Sequence, residues 1–139
     1  MKYKLTDVKI NFIGKTLFQI EAVKCFGDIV KGQKGGFIEK ESNLSQGGNA
    51  WVSGNAWVYG NAEVYGNADY LVIGPIGSRN DITTFFKTAN NDIKVSCGCF
   101  TGNIEEFLEK VNETHGNNNY AKEYKTAVEI AKIHIFGGE

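Results

Sequence analysis

The chain has 139 residues, of which 42% are hydrophobic, so it holds enough apolar side chain for one packed domain or slightly more. Its 15 basic and 16 acidic residues give a net charge of −1, which argues against binding to long nucleic acid or to an anionic membrane. No apolar run reaches membrane-spanning length, no signal peptide opens the chain, and the three cysteines fit a reducing compartment. We therefore expect a cytoplasmic protein.

Residues 1–30 predict an amino-terminal β-hairpin. Apolar residues alternate along two short stretches on either side of Gly14-Lys15, which is a turn signal. The alternating residues include Val8, Ile10, Phe12, Leu17, Ile20 and Ala22. We interpret the hairpin as a cap on the segment that follows, because an uncovered strand edge invites aggregation.

Residues 49–72 contain an internal repeat with a period of six. The copies read Asn49-Ala50-Trp51-Val52-Ser53-Gly54, Asn55-Ala56-Trp57-Val58-Tyr59-Gly60, Asn61-Ala62-Glu63-Val64-Tyr65-Gly66 and Asn67-Ala68-Asp69-Tyr70-Leu71-Val72. Alternation within each copy places alanine and valine on one face and the larger residues on the other. The Gly-Asn pairs are turn signals, since both residues tolerate a left-handed backbone.

Each copy is therefore predicted to form one short strand and one sharp corner, and three such sides close a triangular parallel β-helix with alanine and valine inside. Residues 31–48 predict an imperfect first coil, in which aliphatic and small residues recur at the same spacing. An antiparallel meander with Gly-Asn hairpins is the alternative.

The repeat resembles the hexapeptide-repeat family of left-handed β-helix proteins, and more closely the small hexapeptide-repeat proteins of phages and prophages. The resemblance covers about residues 29–73 and includes Gly35-Gly36-Phe37-Ile38-Glu39. It implies a mainly β protein with α: a short left-handed parallel β-helix at residues 31–73, the hairpin cap, and a ββαα unit at residues 74–139. If the chain is phage-encoded, the resemblance also implies the cytoplasm of the host cell.

Four aromatic residues of the repeat are predicted to lie on its outer face. They are Trp51, Trp57, Tyr59 and Tyr65. So much exposed aromatic surface is unusual for a monomer, and we interpret it as a self-association face of a homo-oligomer. Because left-handed β-helix proteins are commonly trimers, the resemblance favours a trimer or hexamer. A stacking platform for bases or sugars, and packing against the carboxy-terminal helices, are the alternatives.

A polar loop follows the repeat at residues 77–81. It contains Ser78, Asn80 and the one arginine of the chain, Arg79, whose planar side chain makes two-pronged contacts that lysine does not. The loop could cradle an anion with its backbone N–H groups and side chains. Alternatively, it is a connector in which Asp81 pairs with Arg79.

The carboxy-terminal residues predict a hairpin and two helices. Thr83–Lys87 and Ile93–Phe100 are rich in β-branched and aromatic residues and predict the hairpin. A helix over 103–115 is predicted from Asn103 as its N-cap and Glu106 three residues on. A second helix is predicted over about 120–134. Cys97 and Cys99 share one face of the predicted strand, but their spacing matches neither a metal site nor a redox motif.

No catalytic constellation stands out in the sequence. His115 and His134 both lie outside the repeat, whereas hexapeptide acyltransferases carry more coils and a base beside them. We therefore predict no enzyme activity, no cofactor and no metal site. We expect a non-enzymatic oligomeric binding protein of phage type that captures a small anionic, nucleotide-like ligand or a host protein, as a way to block host defence.

The predicted ligand site combines the polar loop with residues of the carboxy-terminal unit. Ser78, Arg79, Asn80 and Lys122 would contact phosphates, and Phe86 or Tyr120 would stack on a base. A purely structural trimerisation module and a hexapeptide acyltransferase-like enzyme are the two alternative functions.

Overall fold

The computed structural model describes residues 1–12, 14–54, 56–66, 69–77, 81–97 and 100–137, with Asp81 described by its backbone alone. Backbone contacts divide the chain into two compact units, Met1–Asp69 and Tyr70–Glu139. Each unit contains a four-stranded sheet. Neither of the helices in the described ranges is both long enough and apolar enough to cross a membrane.

The sheet of the first unit is mixed and has the order β1-β2-β3-β4. Its strands are β1 (Tyr3–Phe12), β2 (Lys15–Ala22), β3 (Lys34–Ile38) and β4 (Trp57–Val58), with a 3-10 turn at Glu41–Asn43. β1 and β2 are antiparallel and meet at the pair Phe12–Lys15, which confirms the predicted amino-terminal hairpin. β2 and β3 are also antiparallel, whereas β3 and β4 are parallel over two residue pairs.

The prediction of a left-handed parallel β-helix is wrong, and so is the resemblance to hexapeptide-repeat proteins that depended on it. The part of the chain that the structure describes forms two antiparallel or mixed sheets and two helices. Among the described residues, parallel pairing is confined to β3–β4 and an isolated bridge between Leu44 and Val64. In the described part of 49–66, Trp57–Val58 is the only strand, and stacked parallel coils do not form.

The inward face of the repeat was predicted correctly. Its described alanines and valines are at most 2% exposed, and they are Ala50, Val52, Ala56, Val58, Ala62 and Val64. Period-two alternation determines which side chains point inward, but it does not determine which strand the backbone pairs with. The same burial therefore occurs here in a segment with little regular strand.

Two glycines of β3 let the repeat approach that strand closely. A Cβ atom at Gly35 would lie 2.6 Å from the carbonyl oxygen of Val52, and one at Gly36 would lie 2.6 Å from that of Ala56. The backbone N–H of Gly36 donates to the Val52 carbonyl oxygen at 2.8 Å. The close packing of the repeat on β3 therefore depends on the absence of side chains at these positions.

The second unit is an antiparallel meander followed by two helices. Its elements are β5 (Tyr70–Ile76), β6 (Asp81–Lys87), β7 (Ile93–Cys97), β8 (Phe100–Asn103), α1 (Ile104–His115) and α2 (Asn119–Phe136). The sheet order is β5-β6-β7-β8, so β5 is an edge strand. The repeat was predicted to extend into the first residues of β5. The sequence predicts a single return strand over 93–100, whereas the structure has β7 there paired antiparallel with β8, which begins at Phe100.

Both predicted helices are confirmed. Asn103 caps α1: its side chain accepts from the Glu106 N–H at 2.8 Å, while the Glu106 carboxylate accepts from the Asn103 N–H at 2.9 Å. This reciprocal pair satisfies two backbone donors that a helix start would otherwise leave without partners.

The core of the second unit lies between one sheet face and the two helices. Phe107 of α1 is central: its ring lies 6.2 Å from that of Phe85 on β6 and 5.5 Å from that of Tyr124 on α2. α2 packs mainly over the edge strand β5, and α1 packs over β7 and β8.

Candidate functional site

A groove runs between β5 and α2 in the second unit, with a volume of about 360 Å³. It is lined by Ile73, Ile76, Lys122, Glu123, Thr126, Ala127 and Ile130. The period of two along a strand directs Ile73 to the helix-covered face. The helical period places Glu123, Ala127 and Ile130 on the same side of α2. The walls of the groove are thus aliphatic, and its charged side chains belong to the first turns of α2.

The charged end of the groove is held to the end of β5. The Glu123 carboxylate accepts from the backbone N–H of Gly77 at 2.8 Å. The Lys122 side chain is exposed, and its ammonium forms no ion pair with any described side chain. One carboxylate at this end is therefore engaged by the backbone, while the neighbouring cation is available to a ligand.

Exposed isoleucines continue the apolar surface along α2. Ile130 is 41% exposed and Ile133 is 62% exposed, and they lie about one helical turn apart. Covering a fully exposed isoleucine side chain stabilises a complex by about 1.5–3 kcal/mol, so this surface favours apolar contact.

A second groove, of about 540 Å³, lies between α1 and α2. It is lined by Leu108, Asn112, Lys125, Thr126, Val128 and Glu129. The Glu129 carboxylate forms an ion pair with Lys132 at 3.9 Å, and the Lys125 ammonium donates to the Asn117 side-chain oxygen at 3.5 Å. Both charged side chains of this groove thus contact a polar partner, and we consider the groove beside β5 the better candidate.

The structure brings one of the predicted ligand residues to the groove, namely Lys122. Ser78, Arg79 and Asn80 lie outside the described residues. Phe86 is fully buried, so it offers no surface on which a base could stack. Tyr120 is 43% exposed on the first turn of α2, with its ring 5.6 Å from that of His115, and it does not line the groove.

Sequence reasoning missed the aliphatic walls of the groove. The sequence places Ile73 at the end of the predicted β-helix segment, residues 31–73, and Ile76 just before the predicted polar loop. The helical period of the second predicted helix places Tyr120, Tyr124, Val128, Ala131 and Ile135 on one apolar side. Ile130 and Ile133 fall outside that set, and two large aliphatic residues off the core-facing side of a helix were the available signal.

The predicted outer aromatic face is mostly part of the first unit's interior. Trp51 is 5% exposed and Tyr59 is fully buried, so the prediction that they lie on the surface is wrong. The side chain of Phe12 covers part of this aromatic face. Its ring lies 5.6 Å from that of Tyr59 and 4.9 Å from that of the half-buried Trp57. Tyr65 alone of the four is largely exposed, at 63%. Self-association itself stays a prediction.

Two buried polar side chains at the amino terminus of the first unit donate hydrogen bonds to backbone carbonyl oxygens. The Lys2 ammonium donates to the carbonyl oxygens of Ala50 at 2.7 Å and Gly47 at 3.2 Å, and burial lowers its pKa. The Tyr3 hydroxyl donates to the carbonyl oxygen of Leu44 at 2.6 Å, and burial raises its pKa. Both groups have carbonyl partners, so we assign them a structural role rather than a reactive one.

Within the described residues, no group of three or more histidine, cysteine, aspartate or glutamate side chains is arranged to hold a metal ion. No protein-family model matches the chain, and no curated protein matches it. Function is therefore inferred from the chemistry of the groove.

Proposed function

We propose that the chain is a non-enzymatic binding protein whose ligand occupies the groove between β5 and α2. The ligand has an apolar body and an anionic group. The observation that carries this proposal is the combination of aliphatic walls with Lys122, a cation without an ion-pair partner among the described side chains. Small-molecule sites are largely apolar, with a few polar groups that fix the orientation of the ligand.

The apolar contact supplies most of the affinity in this proposal. Each buried CH₂ group contributes about 0.8 kcal/mol. A chain of several methylenes along Ile73 and Ile130 therefore contributes most of the binding free energy. The contact with Lys122 is exposed to water and contributes about 0.2–1 kcal/mol. Lys122 therefore sets the preference for an anion and the orientation of the ligand.

Decanoate and decanol test the proposal as matched probes with one apolar chain and different head groups. Nuclear magnetic resonance titration should shift the amide signals of β5 and α2 with both probes. Lys122→Gln should weaken decanoate binding about two- to fivefold and leave decanol binding unchanged. Ile130→Ser should weaken both, because it removes apolar contact from the groove wall.

Lys125→Gln is the matched control, since Lys125 lies on the same helix but lines the other groove. It should leave the binding of both probes unchanged. Absence of any shift in β5 and α2 with either probe would contradict the proposal. An equal loss of decanoate binding in Lys122→Gln and Lys125→Gln would also contradict it, because a general effect of charge would then explain the preference.

Self-association is the second candidate function, and Ile133 favours it. This side chain is 62% exposed but does not line the groove, so a ligand in the groove does not explain it. In a homo-oligomer that buries α2, Ile133→Asp should reduce the mass measured by light scattering after size-exclusion chromatography. Val8→Asp is the control, because Val8 is 53% exposed on β1 in the first unit. A wild-type monomer at every concentration would exclude this candidate.

A further inference from the structure

We infer that the ligand of the groove is an extended peptide segment that adds to the outer edge of β5 and places an acidic side chain beside Lys122. The inference rests on the proposed function and specifies its ligand class. It follows from three features of the second unit: an edge strand, a helix that flanks this strand, and a cation at one end of the groove.

The first feature is the hydrogen-bonding edge of β5. β6 is the only strand paired with β5 in the described part of the chain. No other described backbone group bonds to Leu71, Val72 or Ile73. Alternate residues of an edge strand direct their N–H and C=O groups away from the sheet, where an added strand can pair with them.

The second feature is the position of α2 along this edge. Ile73 and Ile76 form the strand side of the groove, and Ala127 and Ile130 form the helix side. Every second side chain of a strand added to β5 would point toward α2. Main-chain pairing supplies affinity in such complexes, and the groove selects the alternate side chains, which are aliphatic here.

Pro75 limits the length of the added strand. Proline has no N–H group, and the pairing of β5 with β6 is irregular between Ile73 and Ile76. Regular pairing on the outer edge is therefore restricted to the part of β5 up to Ile73. A peptide of about six residues is long enough to pair there and to extend past the irregularity toward Lys122.

The third feature, the cation at one end of the groove, determines the direction of the added peptide and the charge of its first residue. Glu123 bonds to Gly77 just beyond β5, so the start of α2, including Lys122, lies at this end of the groove. In an antiparallel addition, the first residues of the peptide lie at this end. β6 already follows this pattern on the inner side of β5, where Asp81 at its start is the register partner of Ile76. The expected peptide begins with an acidic residue and continues with alternating aliphatic residues.

The probe is the synthetic peptide acetyl-Glu-Thr-Val-Thr-Val-Thr-amide, which places glutamate and both valines on one face. Two matched probes accompany it, one N-methylated at alternate residues and one with glutamine in place of glutamate. The peptide should slow hydrogen exchange of the outward-directed amides among residues 71–73 at least tenfold. N-methylation should weaken binding at least tenfold, because it removes backbone donors while keeping the side chains.

Lys122→Gln tests the charge. It should weaken binding of the glutamate peptide about two- to fivefold and leave binding of the glutamine peptide unchanged. Equal binding of the N-methylated and unmodified peptides would overturn the inference, since backbone pairing would then contribute nothing. If decanoate binds the groove and none of the peptides does, the inference fails while the proposed function stands. If neither class of probe binds, both fail.

Discussion

The side-chain nitrogen of Asn43 donates to the carbonyl oxygen of Ala62 at 3.1 Å, which joins the 3-10 turn to the repeat. The same nitrogen donates to the Gly60 carbonyl oxygen at 3.0 Å, and the side-chain oxygen accepts from the N–H groups of Glu39 and Lys40. Asn43 is fully buried, and its amide makes all four of these bonds at once. It therefore substitutes for backbone pairing that the turns of the repeat do not supply.

Asn43→Ala should lower the free energy of unfolding by about 2–3 kcal/mol, because it leaves buried carbonyl and N–H groups without partners. Urea unfolding followed by circular dichroism measures this change. Asn61→Ala is the control: Asn61 is exposed at a corner of the same repeat, and its replacement should cost less than about 0.5 kcal/mol. Equal losses in the two variants would contradict the role assigned to Asn43.

Gly36→Ala should destabilise the first unit by about 1–3 kcal/mol, since its Cβ atom would overlap the Ala56 carbonyl oxygen. Gly54 offers a matched comparison inside the repeat, because a Cβ atom there meets nothing within 4 Å. Gly54→Ala should be neutral or stabilising by about 0.4–1 kcal/mol. Thermal unfolding distinguishes the two variants, and a Gly36→Ala protein as stable as Gly54→Ala would disprove the close packing on β3.

Tyr3 predicts a loss of stability in alkali. Burial raises the folded-state pKa of Tyr3 above its ordinary value of 10.0, with a further contribution from the Glu41 charge. Above about pH 10 the unfolded chain therefore loses the phenolic proton before the folded protein does, and stability falls as the pH rises. The contribution of Tyr3 is fully present at lower pH.

Lys2 acts in the opposite direction, because desolvation lowers its folded-state pKa below 10.5 and folding is favoured as the pH rises. The Lys2 contribution is complete once the pH passes 10.5, the pKa of the lysine in the unfolded chain, whereas the Tyr3 contribution continues to fall, so the effect of Tyr3 should dominate above about pH 10.5. Urea unfolding across this range should show a decline in wild type that Tyr3→Phe removes. At pH 7 the variant should be about 1–2 kcal/mol less stable, because its hydrogen bond to Leu44 is lost. An equally steep alkaline decline in Tyr3→Phe would refute the assignment.

Asn103→Ala should lower the stability of the second unit by about 1 kcal/mol, since the α1 capping pair is lost. Asn112→Ala on the exposed side of α1 should change stability by less than about 0.5 kcal/mol. Hydrogen exchange of the first α1 amides provides the local measurement, and faster exchange is expected in Asn103→Ala alone. Equal exchange rates in the two variants would argue against the cap.

The candidate site was partly predictable from sequence. Lys122 was selected as a ligand residue and lies in the groove, because an exposed charge on a helix depends mainly on the local helical period. The walls were not predictable, since Ile73 and Ile130 are far apart in sequence and meet only when α2 packs over β5. Phe86 shows the reverse error: the sequence marks an aromatic residue, but burial decides whether its ring is available.

The sequence alone determined the features whose partners are close along the chain. The Asn103–Glu106 capping pair spans four residues, and the Ala and Val positions of the repeat follow a period of two, so both could be read directly. Only the tertiary structure decided which strand the repeat packs against. Strand pairing is non-local, and the glycines of β3 allow the repeat to pack on an otherwise antiparallel sheet instead of stacking into coils.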